Sequence, residues 1–121
     1  MEEVPITIHR SKCLVCGFGR IGKLLAKTLQ ALGADVTVSA RKLSDLAWID
    51  AYGYHGIDTS DIGSITPLQD LIFNTIPVRI FDERLLSKMN DETLLIDLSS
   101  KPGGVDRKST RLNSSHRIRP R

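Results

Sequence analysis

Apolar residues along this chain fall in short blocks separated by polar or glycine-containing breaks, and the blocks alternate between two periodicities. Cys13 to Cys16 and Asp35 to Ser39 are continuous apolar or β-branched runs of the kind that fills a buried parallel strand. Between them, Arg20 to Leu32 has apolar positions at helical spacing and stops at Gly33. Leu43 to Tyr52 predicts a second helix, with Ser44 as its N-cap, Leu46, Ala47, Trp48 and Ile49 as its apolar side, and Gly53 as its end. Tyr54 to Ile57 predicts a third strand, and Asp58 to Pro67 a polar loop or short helical turn. Leu71 to Phe73 predicts a fourth strand leaving through Asn74-Thr75-Ile76-Pro77, Phe81 to Met89 a helix, and Thr93 to Asp97 a fifth strand. Strand and helix alternate throughout, which predicts an α/β doubly wound parallel sheet with right-handed crossovers.

The first strand runs directly into Gly17-Phe18-Gly19-Arg20-Ile21-Gly22, which opens the first helix. In a dinucleotide-binding unit the first glycine permits the tight turn, the second lets backbone approach a pyrophosphate, and the third lets helix and strand pack closely. The pyrophosphate would sit on the free N–H groups of the helix N-terminus, where the helix dipole favours negative charge. The glycine spacing alone is weak evidence in a chain with nine glycines; the strand before it and the helix and second strand after it give it weight. The fold expected is therefore Rossmann-like, over residues 12–105.

The exit of the second strand bears on which dinucleotide is held. NAD-binding units usually place a carboxylate about 20 residues past the glycines to accept the ribose 2′-hydroxyl. Ser39-Ala40-Arg41-Lys42 stands there instead. A guanidinium grips a 2′-phosphate in bidentate fashion and a lysine adds a point charge, so Ser39, Arg41 and Lys42 point to NADP(H) over NAD(H). The alternative is that Arg41 and Lys42 form only a solvated loop.

In open parallel sheets ligands collect at the carboxyl ends of the strands, where strand order switches. The glycine loop, Asn74 to Pro77, and Asp97 to Gly104 should therefore converge. Asn74 and Thr75 would bring an amide and a hydroxyl to a nicotinamide ribose, with Pro77 shaping the turn that presents them. Lys101 is the cation on the strand-five loop and a candidate for an anionic substrate. Asp97 can orient a neighbour, act as acid or base, or cap local N–H groups. His55 reads as a structural or surface group, and no catalytic residue is identified.

Length and composition set the limits around this reading. A 121-residue chain that is 40% hydrophobic and 26% charged has room for one domain with a modest core. No apolar run is long enough for a membrane span, and Met1-Glu-Glu-Val-Pro5 lacks the basic start of a signal peptide, so a cytoplasmic protein is expected. Cys13 and Cys16 lie three apart on a strand and face opposite sides, which argues against a shared metal or disulfide. The formal net charge of +3 comes from the end of the chain: residues 106–121 hold six of the 17 basic residues and one of the 14 acidic ones, leaving 1–105 at −2. Asp106 to His116 resembles the one-frame translation of a sequencing adapter, so 106–121 is expected to be a non-native, unstructured tail, and no nucleic-acid binding is inferred from its arginines.

Four blocks in order, Gly17 to Gly22, Ala31 to Arg41, Ile72 to Pro77 and Leu95-Ile-Asp-Leu-Ser-Ser-Lys-Pro-Gly-Gly104, resemble the cofactor-binding domain of the family formed by the A subunit of dipicolinate synthase. The resemblance covers roughly Ile6 to Val105. It implies a pyridine-nucleotide-dependent oxidoreductase of dipicolinic acid synthesis in bacterial sporulation, using a dihydrodipicolinate-pathway precursor and acting with a flavoprotein-like B subunit. By the same analogy Lys101 would lie near a dicarboxylate substrate; self-association into a homo-oligomer stays open. Family members carry a domain before the glycine loop and extend past Lys-Pro-Gly-Gly. On this reading 1–11 is a remnant of that domain, and the chain is a fragment that binds nucleotide without turnover. Two other classes stay open: the cofactor domain of a 2-hydroxyacid or shikimate-type dehydrogenase, and a non-catalytic NADP-sensing module.

Overall fold

A computed structural model describes residues 8–77 and 81–99. Five strands, β1 (Lys12–Cys16), β2 (Asp35–Ala40), β3 (His55–Asp58), β4 (Leu71–Asn74) and β5 (Leu94–Asp97), form one parallel sheet in the order β3-β2-β1-β4-β5. The chain works outward from β1 in one direction, then crosses to its other side. That reversal puts a crevice at the carboxyl ends of β1 and β4.

The helices are α1 (Arg20–Ala31), α2 (Leu43–Ala51) and α3 (Glu83–Ser87), with 3-10 turns at Thr59–Ser64 and Thr66–Leu68 in the region where the sequence predicts a polar loop or short turn. Ala26 and Leu29 of α1 and Ile49 of α2 pack with Cys13, Val15, Val36, Val38 and Leu71 on one face of the sheet. Ile62, Phe81, Leu86 and Met89 pack with Leu14, Cys16, Ile72 and Leu95 on the other. Burial on both faces is why the strands read as continuous apolar runs rather than alternating ones. It also separates the two cysteines, which lie in different cores, buried and free.

Most elements differ from expectation by one residue at an end, and two helix starts differ in their capping. The N-cap of α2 is Lys42 rather than Ser44. β2 extends to Ala40, and with one intervening residue the backbone is extended at Lys42 and helical from Leu43, so Ser44 is already inside the helix. The last helix is confined to Glu83–Ser87: Asp82 accepts from the Leu85 N–H at 2.9 Å and starts it there, with buried Phe81 and Met89 flanking it. Residues 106–121, Lys101 and most of the 1–11 lead-in lie outside the described residues.

Replacing Ile72, fully buried on the interior strand β4, by Ala is expected to cost about 2–5 kcal/mol in urea unfolding. Leu24→Ala, at a position 66% exposed on α1, should change stability by less than about 0.5 kcal/mol.

Candidate functional site: the glycine cradle and the strand exits

The chain leaves β1 at Gly17 with φ of 105°, a conformation costly for any side chain. The Gly17 N–H donates to the Ser39 carbonyl at 3.1 Å, which carries the β1–β2 ladder into the turn. Thr75 and Ile76 from the β4 exit lie against the turn, so that a Cβ on Gly17 would come within 2.6 Å of Ile76 Cγ2 and Thr75 Oγ1. On the other side α1 is seated so closely that a Cβ on Gly22 would collide with the Gly17 carbonyl oxygen. Gly19 is different: a Cβ there meets nothing within 4 Å. Two of the glycines make room for protein, and the middle one keeps a face clear.

Gly19 is the N-cap of α1, with no side-chain cap and no acidic residue in the first turn. The first bond of the helix is from the Lys23 N–H to the Gly19 carbonyl, at 2.9 Å. Among the described residues the N–H groups of Arg20, Ile21 and Gly22 have no acceptor and suit an external one, and the first turn carries no carboxylate to compete for the positive end of the dipole. Arg20 and Ile21 are exposed, whereas the Phe18 ring is buried with the Lys23 ammonium 5.2 Å from its centroid. Phe18 can meet a ligand only through its backbone. This arrangement fits the diphosphate of a dinucleotide.

Ser39, Cys16, Asn74 and Asp97 occupy one register row across β2, β1, β4 and β5 at the carboxyl end of the sheet. Asn74 Nδ2 donates to Asp97 Oδ1 (3.2 Å) and to the Ile76 carbonyl (3.0 Å), while its fully buried Oδ1 has no partner among the described residues. A buried acceptor left open is costly unless a ligand or water satisfies it. Asp97 Oδ1 also accepts from Ser99 N–H (3.0 Å) and Ser99 Oγ (2.8 Å), so this carboxylate both caps the loop and orients a neighbour. The Thr75 hydroxyl donates to the Cys16 carbonyl at 2.7 Å, which ties the β4 exit to β1. No spacing rule reveals the Asn74–Asp97 pair, because it joins residues 23 apart across neighbouring strands.

The described parts of the three expected segments do converge. Ser39 is fully buried, its hydroxyl bonded to Cys16 and accepting from Thr59, so no exposed hydroxyl is offered there. Arg41 and Lys42 are both exposed. Arg41 lines an open cleft of about 440 Å³ with Asp58, Arg84 of α3 and Lys88 at the C-cap of that helix; Lys42 is outside that lining. The Asp58 carboxyl is held below its usual range mainly by the Ser60 N–H and hydroxyl, and further by Arg41. Exposed Pro77 closes the described part of the β4 exit. His55 is at the opposite, amino end of β3, paired with Asp35 at 3.0 Å. Among the described residues no group of three His, Cys, Asp or Glu can hold a metal, and no helix is long and apolar enough to cross a membrane.

Burial pushes the Cys16 thiol from 9.0 up to about 12 and also raises Cys13, so neither is a nucleophile at neutral pH. The unfolded thiol of Cys16 ionises at lower pH than the folded one. Its contribution to stability is therefore complete below pH 9.0 and is lost as pH rises toward about 12. Thiol titration with an aromatic disulfide at pH 8 should find both groups protected until the protein is unfolded. Gly22→Ala is expected to destabilise by about 1–3 kcal/mol, since the collision is with backbone. Gly19→Ala should leave unfolding nearly unchanged and yet weaken dinucleotide binding in a titration.

The chain is 40% identical over 106 residues to the A subunit of dipicolinate synthase from Bacillus subtilis strain 168, an alignment spanning 88% of this chain and 36% of that protein. The crystal structure of the same B. subtilis subunit superposes with a TM-score of 0.85 at 39% identity, over 91% of this chain and 37% of the other. That of the corresponding dipicolinate synthase subunit from Bacillus halodurans gives 0.85 at 35% identity, over 91% and 38%. The chain thus spans little more than a third of the length of the relatives it resembles. The family model of the D-isomer specific 2-hydroxyacid dehydrogenase NAD-binding domain matches residues 2–108, which include the whole of the sheet and its cradle, and the chain belongs to that family.

Proposed function

We propose that this chain is the cofactor-binding part of an oxidoreductase of the dipicolinate synthase type, corresponding to the A subunit of that enzyme, and that it holds NADP(H) in preference to NAD(H). The observation that carries the reading is the cradle at Gly17, Gly19 and Gly22, where the backbone is cleared at Gly19 and the α1 N-terminus has neither cap nor acid. Similarity to dipicolinate synthase supports the choice of reaction. The bound nicotinamide would supply or accept a hydride.

The work of this chain is binding and orientation. The N–H groups of Arg20, Ile21 and Gly22 take the diphosphate, and the Gly17–Thr75–Cys16 contacts keep that platform rigid. The open Oδ1 of Asn74 accepts a donor from the ligand, its amide held by Asp97 and the Ile76 carbonyl. Arg41 faces the ribose 2′ position with a guanidinium where NAD-binding units present a carboxylate. Lys42 adds positive charge beside it, and Lys101, four positions past the last residue of β5 in the sequence, is proposed to meet a carboxylate of the substrate. The intact protein would act on a dicarboxylate precursor of dipicolinic acid, together with a B subunit, in the cytoplasm of a sporulating cell.

Titration of the two dinucleotides tests the cofactor assignment. NADP(H) should bind about tenfold or more tightly than NAD(H), and Arg41→Ala should remove most of that advantage while leaving NAD(H) affinity within about twofold. Unchanged NADP(H) affinity in the variant would sink the assignment.

A further inference from the structure

The cleft beside Arg41 joins three elements that are remote in sequence. Arg41 comes from the exit of β2, Asp58 and Ile62 from the end of β3 and the turn after it, and Arg84, Leu85 and Lys88 from α3 and its C-terminal end. Its volume of about 440 Å³ is within the range of small-molecule sites and has room for a purine nucleoside phosphate.

Its charges are unevenly committed. Asp58 Oδ1 accepts from both the Ser60 N–H (2.9 Å) and the Ser60 hydroxyl (2.8 Å), and Asp82, also at the cleft, has its Oδ1 on the Leu85 N–H (2.9 Å). Both carboxylates are engaged in capping local backbone. Arg84 and Lys88, both exposed, make no side-chain hydrogen bond or ion pair among the described residues. The Lys88 ammonium stands 3.5 Å from where a Cβ would lie on Gly63, as does Leu85 Cδ1, so α3 carries its cation and its apolar contact to the same wall of the cleft. Three cations and an apolar wall of Ile62 and Leu85 suit a ligand with a dianionic group beside a flat apolar ring.

We infer that Arg84 and Lys88 act with Arg41 as the site for the 2′-phosphate of the cofactor, with the adenine against Ile62 and Leu85. Preference for the phosphorylated dinucleotide is then set across the cleft from α3 as well as from the β2 exit. This rests on the reading of the glycine cradle as a dinucleotide site, which brings the adenosine end of the ligand to the β2 exit. It assigns the selectivity to residues that follow β4, about forty positions beyond the place where a fingerprint places it.

The test is calorimetric titration of wild type, Arg41→Ala, the Arg84→Ala/Lys88→Ala double variant and, as a remote cation on α1, Lys27→Ala. The probes are NADPH, NADH, 2′,5′-ADP and 5′-AMP. The double variant should lose about tenfold or more in affinity for NADPH and 2′,5′-ADP, with NADH and 5′-AMP changed less than about twofold, and Lys27→Ala should alter none of them beyond that. Arg84→Gln and Lys88→Gln, which keep side-chain bulk, repeat the measurement with minimal disturbance of α3 and should each show part of the loss. If the double variant keeps full NADPH affinity, or loses NADPH and NADH equally, the inference is overturned; when Arg41→Ala abolishes the preference for NADPH in that case, the proposed cofactor assignment stands. Wild-type protein that binds neither dinucleotide, or binds NADH as tightly as NADPH, overturns that assignment and this inference with it.

Discussion

The seating of α1 on the β1 turn is the contact on which the rest of the site depends. With no side chain at Gly22, the helix comes into contact with the Gly17 carbonyl, and with none at Gly17 the β4 exit closes over the same turn. Three elements are thereby brought to one point. Any side chain at either position would have to separate them, and in a close-packed interior there is no slack to absorb the shift. The open face at Gly19 is useful only because its two neighbours are rigid.

The sheet supplies that rigidity. β1 is central, with β2 on one side and β4 on the other, and apolar clusters cover it above and below. Polar groups at the carboxyl end of these strands are consequently held by neighbouring strands. The Asn74–Asp97 pair and the Thr75–Cys16 bond are examples, and both bring backbone order to exits that would otherwise be free loops. The cysteines belong to this scaffold as well: each fills one of the two cores, and burial of Cys16 keeps its thiol protonated.

Much of this is legible in the sequence because it rests on local pattern. Continuous apolar runs indicate strands buried on both faces, and Gly33 and Gly53 mark where α1 and α2 stop. The glycine loop announces itself by spacing and by the strand before it. The departures in detail come from neighbours along the backbone: β2 is one residue longer than its apolar run, which moves the α2 cap to Lys42, and Asp82 begins α3 later than its apolar pattern suggests. Ser39 has the position of a ribose ligand in the sequence, yet strand alternation turns it into the core beside Cys16.

What sequence by itself determined is the alternation of strands and helices, the parallel sheet, the dinucleotide-type cradle and the replacement of the expected carboxylate by Arg41. These follow from short-range geometry, since a turn, a helix start and a strand are each specified within a few residues. Only the tertiary structure decided which distant groups meet. It set Arg84 and Lys88 across a cleft from Arg41, left the buried oxygen of Asn74 without a partner among the described residues, and removed His55 to the far end of β3. Such pairings depend on strand order and on which face each helix covers, and those are fixed by the burial of the whole sheet at once rather than by any segment of it.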